Sequence, residues 1–409
     1  MMLLISVAWR NLWRHTRRSL ITAGAMAVGV ALCMAMVAFQ DGTFENLFEV
    51  MVEQQLGHVQ IHHPEYPAGR VLHDTVPDAA ALVEQLDGLE STAAVSGRLN
   101  GFALVGGEDK SAGAMLVGVV PERLLQTFPL DERTKAGRFI EGPGEIALGE
   151  KLAEELDVGL GDGVVVVTQA ADGSLGNAVL NVVGTYRSGN TQMDRNGAYL
   201  TLGDLQELLV LHDQIHQITA LTKDAEAIEP YVTGIEAIVD REDVEIQPWW
   251  IASPQTAQLM GSRDVAVFII LGIVFGAAAF GVLNTMMMSV FERTRELGVL
   301  RALGIRAGRL VALIVIESLF LAVVASAMGL GLGAVLDYYV VTVGFDMSAA
   351  AEDGFSFSGV TIDPVIKGVV KVESIVQILV AVLLVSVLAS LYPAIRAANL
   401  KPVEAIRSE

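Results

Sequence analysis

The stretch LITAGAMAVGVALCMAMVAF, residues 20–39, carries no charged side chain and is long enough to cross a bilayer as one helix. A hydrocarbon core of about 30 Å requires about 20 apolar helical residues. Three further runs reach that length, at 265–290, 310–336 and 375–395, and Glu317 is the one charge inside any of the four. One run lies near the start of the 409 residues and three near the end, bracketing a polar stretch of over two hundred. This predicts a membrane α-helical protein with four transmembrane helices and a large domain between helices 1 and 2. A cleaved signal peptide, the alternative for the first run, has a shorter apolar core and a small-residue cleavage site. Cys33, the sole cysteine, follows Leu32 where a lipid-attachment site wants a small residue, so it reads as packing within the span. Without a second cysteine the outer domain must hold together by burial.

Orientation follows from the short basic segments, because arginine resists translocation and holds flanking loops in the cytoplasm. Arg10, Arg14, Arg17 and Arg18 precede the first run; Arg293, Arg295, Arg301, Arg306 and Arg309 lie between the second and third; Arg396, Lys401 and Arg407 follow the fourth. Both termini are therefore expected in the cytoplasm, with 41–264 and the shorter 337–374 loop outside.

Charge is unevenly shared. Residues 41–264 hold 13 Lys and Arg against 36 Asp and Glu, a net of −23, which leaves +3 for the rest of a chain totalling −20. Such a domain is repelled by nucleic acid and by anionic headgroups. Its signals are mixed α+β. Strand-like runs fall at 58–63, 99–105, 114–120, 164–168, 179–186 and 217–221, with helical runs at 79–86, 150–156, 204–211 and 225–239. Gly106-Gly107 and Asp172-Gly173 read as turns between strands. Beyond the first span, Phe44, Leu47, Phe48, Met51 and Gln55 recur at helical spacing, and 254–263 forms a matching stretch before the second span. These are expected to be stalk helices.

Familiar chemistry is missing. A phosphate-cradling loop needs Gly-Lys followed by Ser or Thr, and no lysine here follows a glycine. On a strand, His58 and His62 lie about 13 Å apart, too far to share one ion easily. No nucleophile elbow, zinc-protease helix or cysteine pair is present. No catalytic or metal residue is assigned. Within the spans, Gly272 with Gly276 and Gly329 with Gly333 have the spacing that lets helices approach closely. Asn284 and Glu317 are read as contacts to another span or to the loop after the second span, ahead of contact with substrate. The Met286, Met287, Met288 run suits interhelical packing.

The most specific segment is Phe291-Glu292-Arg293-Thr294-Arg295-Glu296-Leu297-Gly298-Val299-Leu300-Arg301-Ala302-Leu303-Gly304. With Asn284 and the Met-rich end of the second span, it resembles the coupling helix of FtsX-like permeases of the MacB and lipoprotein-releasing (LolC/LolE) type. Ala8-Trp9-Arg10-Asn11-Leu12-Trp13-Arg14 and Tyr392-Pro393-Ala394-Ile395-Arg396-Ala397-Ala398, followed by Pro402-Val403-Glu404-Ala405, agree with it. The ordered set Gly137-Arg138-Phe139, Gly144-Glu145-Ile146-Ala147-Leu148-Gly149, Leu152-Ala153, Gly161-Asp162 and Val183-Gly184 is similar to MacB-like periplasmic core domains.

The resemblance implies a cytoplasmic amphipathic segment at 1–19, helix 1 at 20–40, a periplasmic MacB-like α+β domain with stalks at 41–264 and helix 2 at 265–291. It further implies a coupling loop at 292–309, helix 3 at 310–336, a short periplasmic loop at 337–374, helix 4 at 375–395 and a cytoplasmic tail at 396–409. In the coupling loop, Leu297, Leu300 and Leu303 are expected to dock in a groove of a separate ABC ATPase, with Arg293, Arg295 and Glu296 offering charge. Glu292, Thr294, Gly298, Arg301 and Gly304 complete that set. This chain is expected to be no enzyme and to bind no cofactor, ATP and Mg²⁺ belonging to the partner. The implied setting is the bacterial inner membrane, the implied partners a second or related permease, membrane lipid, and a periplasmic carrier or membrane-fusion protein. Release of lipoproteins or another amphiphile is the implied activity. MacB-like export of peptides, antibiotics or lipids, or FtsX-like regulation of cell-wall hydrolases, are the alternatives; FtsX outer domains are generally much smaller.

Overall fold

The structure, a computed structural model, describes residues 2–14, 16–239, 241–346, 355–357, 360–362 and 365–399. The tail motif Pro402-Val403-Glu404-Ala405, with Lys401 and Arg407, lies outside the described residues. The chain divides into a helical unit (Met1–Glu45, Gly261–Ala349 and Val365–Glu409) and an α+β unit (Asn46–Met260 and Ala350–Pro364).

Each apolar run lies in a helix longer than the run itself: Thr16–Phe48, Pro254–Glu292, Ala307–Thr342 and Val372–Ala398. The second has 39 residues, about 58 Å at 1.5 Å per residue, so its ends extend past a hydrocarbon core of about 30 Å. Inside the helical unit, Met26, Val30, Cys33 and Met34 of the first helix meet Phe275 and Val282 of the second, Leu321 and Ala325 of the third, and Ile378 and Val382 of the fourth.

Glycine decides how close two of these helices come. A Cβ at Gly329 would strike Val30 and the Ala27 carbonyl, and one at Gly333 would strike Met34, so this four-residue spacing seats the third helix against the first. Gly272 and Gly276 differ from the expectation, because among the described residues no neighbouring element lies within 4 Å of a Cβ built on either. They sit on the helix least covered by its neighbours. Three serines of the bundle pair among themselves: the Ser318 hydroxyl donates to Ser390 at 2.9 Å, and the Ser386 hydroxyl to the Ser318 carbonyl at 3.0 Å. Asp41, buried near the end of the first helix, accepts from Arg263 at 2.9 Å and from Ser374 at 2.8 Å. The helix Met2–Arg14 packs Trp9 edge-on against Phe320 of the third helix, ring centroids 5.3 Å apart.

The helix expected beyond the first span is present, with a change of pitch. Helix continues through Phe44, Leu47 and Phe48, but Glu49–Leu56, which includes Met51, is π-helical. It ends where the Gly57 amide donates to the Val52 carbonyl at 2.6 Å. The wider turn buries Val50 and Val52 together with Leu47, a set that three- and four-residue spacing does not produce. Phe48 lies edge-on to Trp249 at 5.6 Å. The matching stretch begins the helix Pro254–Glu292.

The α+β unit is organised by one long strand, Thr92–Gly106. From it a closed circuit of pairings runs through Ser111–Val119, Gly197–Thr201, Glu145–Gly149, Leu175–Tyr186 and Gly163–Gln169, then back to residues 103–106. Alternating residues such as Val164, Val166, Leu180 and Val182 fill its core with Leu152 and Leu205 from the helices Glu150–Leu156 and Leu202–Leu209. The first half of the long strand pairs instead with Gln217–Thr222, followed by Val59–His62 and Glu245–Pro248. Helices Ala79–Asp87 and Ile228–Glu236 contribute to the core there.

Both glycine turns appear where expected, Gly107 donating to the Lys110 carbonyl at 2.9 Å and Gly173 taking φ +84°. The strands Glu145–Gly149 and Gly197–Thr201 escaped the sequence reading because both are short, almost entirely buried and flanked by glycine, with no alternation to betray them. Of the histidines, His58 accepts from the Thr222 amide at 3.0 Å, and His62 Nδ1 lies 2.9 Å from the His63 carbonyl. No metal-ligand cluster occurs among the described residues.

Candidate functional site

The segment after the second spanning helix, expected to be the coupling loop, owes its shape to its two ends. The second spanning helix stops at Glu292, Arg293 leaves helical geometry at φ −107°, ψ +14°, and a separate helix, Thr294–Ala302, begins. At the far end Gly304 takes φ +90°. Its amide donates to the Arg301 carbonyl at 3.1 Å, and the Ile305 amide donates to the Leu300 carbonyl at 3.1 Å. This is the double closure of a Schellman cap, which favours glycine at that position. The Thr294 hydroxyl donates back to the Val290 carbonyl at 3.0 Å, bridging the break.

The helix face differs from the expectation. Leu297 is 2% exposed and packs with Val290, Leu310, Ile314, Ala394 and Ala397, and Leu300 leans on the same cluster. Gly298 is buried, while Leu303 is 77% exposed. The three leucines thus do not form one outward face. At three-residue spacing the positions precess round the helix, so Leu297 seats it on its own chain and Leu303 stands free at the tip. Arg295 and Val299 are exposed beside it.

Arg293 is also turned inward. It reaches Glu317 of the third spanning helix at 3.1 Å, and Asn11 of the N-terminal helix donates to the same carboxylate at 2.5 Å. Arg293 further meets Glu296 at 3.4 Å. Glu296 takes Arg14 at 2.8 Å, and Glu292 takes Arg18 at 2.5 Å. Two arginines read as topology signals therefore also clamp the segment to the N-terminal region. Glu317, 6% exposed, sits at the centre of three elements. Arg301 donates to the Ile305 carbonyl at 3.3 Å.

Of the other expected residues, Asn284 faces outward and its neighbour Thr285 makes the polar contact, 3.0 Å from Thr22. One helical step of about 100° separates the two positions, which sequence spacing alone does not phase. Sequence reading missed Asn11, Arg14 and Arg18 as partners. Their signal was present, since acids in the loop need bases nearby, but the partners lie more than 270 residues away in sequence.

Comparison with known proteins places these features. Residues 19–238 match the MacB-like periplasmic core domain, and residues 268–402 match the FtsX-like permease C-terminal region. The chain is 23% identical to the lipoprotein-releasing system transmembrane protein LolC of Xylella fastidiosa, covering 94% of this chain and 92% of the relative. It is 22% identical to LolC of Neisseria meningitidis, over 96% of this chain and 94% of the relative. Against the macrolide export ATP-binding/permease protein MacB of Shewanella oneidensis, identity is 24% over 97% of this chain and 59% of that protein.

Proposed function

Because the chain belongs to the family of permeases with a MacB-like periplasmic core domain and an FtsX-like C-terminal region, we propose that it is the membrane subunit of a lipoprotein-releasing ABC transporter. Membership makes it an ABC transporter permease of the LolC/MacB type. In the proposed cycle a separate ATPase grips the tip of the helix Thr294–Ala302 on the cytoplasmic side. Closure of two ATPases moves that helix in a dimer of permeases. The outer domain then hands an acylated protein from the bilayer to a soluble carrier.

The observation that supports a coupling role is the division of labour within this one helix. Leu297 and Gly298 are anchored in the bundle, while Arg295, Val299 and Leu303 are left free to be gripped. A push on the tip is transmitted through packed Leu297 and through the Arg293–Glu317 pair into the third spanning helix. Lipoprotein as substrate is supported by the LolC relatives, which run nearly the full length of this chain. Export of a small amphiphile is the second reading, supported by the MacB relative.

Affinity purification from native membranes with ATP hydrolysis blocked, followed by mass spectrometry of partners and bound lipidated peptides, tests both. An ATPase, a second permease and acylated polypeptides are expected. A membrane-fusion protein with a small amphiphile would favour export, and a wall hydrolase recovered alone would end the transport reading.

A further inference from the structure

A cavity of about 700 Å³ opens within the α+β unit, inside the roughly 300–1,000 Å³ of small-molecule sites. Its floor is one face of the sheet. Along the strand Thr92–Gly106 successive side chains alternate sides. Leu99 and Val105 enter the apolar core, whereas Arg98, Asn100 and Phe102 line the cavity. Register carries the polar face sideways: Arg98 lies opposite Gln217, and Gln217 opposite His62. Although the domain is strongly acidic, no Asp or Glu is among the described residues lining this cavity, and two arginines are.

Three of the orphaned atoms here are donors. Arg98 spends Nη1 on the Gln55 carbonyl at 2.9 Å, while its Nε and Nη2 are buried with no acceptor. That edge of a guanidinium is the one matching two oxygens of a carboxylate or phosphate. Gln55 Nε2, on the residue that takes the Nη1 bond, is a third buried donor without a partner. His62 holds its Nδ1 against the His63 carbonyl at 2.9 Å, so the proton is assigned there and the unpartnered Nε2 is an acceptor. Burial draws the Arg98 pKa below the ordinary guanidinium value, with Tyr199 opposing. An uncompensated buried charge is costly, and a ligand oxyanion would compensate it.

We propose that this cavity is a binding site for an oxyanion, carboxylate or phosphate, received by the Nε/Nη2 edge of Arg98 with Gln55, its neighbouring N–H or O–H donor accepted by His62. Met115, Val117 and Phe128 give the remainder of the ligand an apolar wall. The site stands on the geometry of the domain alone and does not depend on what the transporter moves.

Calorimetry on the full-length protein in phosphatidylcholine nanodiscs tests it, with inorganic phosphate, N-acetylglycine and dihexanoyl phosphatidylglycerol as separate probes. At least one is expected to bind saturably. Arg98→Gln should weaken that probe by about tenfold or more, as for a lost charged hydrogen-bond pair. Arg98→Lys should fall between, and Arg123→Gln, which removes an ion pair to Asp87 outside the cavity, should leave binding unchanged. The tightest probe identifies the source as free phosphate, a carboxylate or a lipid headgroup. No saturable binding by any probe, or equal binding by Arg98→Gln, overturns the site. Should Arg98→Gln fail to fold, a saturable rise in wild-type Tm with a probe, diminished in Gln55→Leu, supports it, and absence of that rise overturns it.

Discussion

Glu317 is the residue on which the helical unit turns. Its carboxylate takes Arg293 and Asn11, and both charges of the pair are largely withdrawn from solvent, at 14% and 7% side-chain exposure. Removing one partner of a buried pair costs about 3–5 kcal/mol when the other is left uncompensated, and Glu296, 3.4 Å from Arg293, offsets part of that cost here. Glu317→Ala should therefore lower the Tm of the detergent-purified protein markedly. Glu317→Gln, which keeps an acceptor for Asn11, should cost less, and Arg293→Met with Glu317→Leu should recover most of the loss. Equal Tm values for wild type and Glu317→Ala would sink this account. In the α+β unit, Glu145 offers a pH test. Its pKa is pulled from 4.5 to about 2, chiefly by the hydrogen bond from Arg138. A carboxyl depressed on folding adds stability that is present above its unfolded value and lost as pH falls through the folded one. The stability difference between wild type and Glu145→Gln should thus be constant above about pH 5 and shrink from about 4.5 down to 2. The effect will be small because solvent screens the pair; urea titrations over that range measure it, and a gap that widens with acid contradicts the assignment.

At the scale of elements, the helix Thr294–Ala302 separates a packed face from an exposed tip, the proposed docking surface. Leu303→Asp changes an exposed tip and should abolish most ATPase co-purification while leaving stability within about 0.5 kcal/mol of wild type, as for surface substitutions. Leu297→Asp places a charge among Leu310, Ile314 and Ala397 and should instead unfold the segment or the bundle. If Leu303→Asp retains full ATPase binding, the tip is not the docking surface. The scattered motifs of the outer domain also acquire a reason at this scale. The Arg138 amide donates to the Val183 carbonyl at 3.0 Å and the Gly161 amide to the Val182 carbonyl at 2.8 Å. A Cβ on Gly184 would strike the Arg138 carbonyl, and Arg138 pairs with Glu145. Four short motifs that look independent along the chain are one packed corner where three strand ends meet.

For the molecule as a whole, orientation is the claim that charge makes and that labelling can settle. In a Cys33→Ala background, Glu90→Cys should react with a membrane-impermeant maleimide on spheroplasts, and Leu303→Cys only after permeabilisation. The reverse pattern would place the coupling segment out of reach of any cytosolic ATPase. The apolar runs, their number and the mixed α+β character of the inserted domain were all legible in the sequence. They rest on local quantities: run length against bilayer thickness, two-residue against 3.6-residue periodicity, and glycine where the backbone must take positive φ. What faces what was not legible. The inward turn of Arg293, the pairing of Arg14 and Arg18 with acids far along the chain, and the circuit of strands closed through Gly163–Gln169 depend on contacts between distant segments. Likewise, only the tertiary structure left Nε and Nη2 of Arg98 buried with no acceptor among the described residues. Periodicity assigns a side chain to a face, and only packing decides whether that face meets core, solvent or an empty cavity.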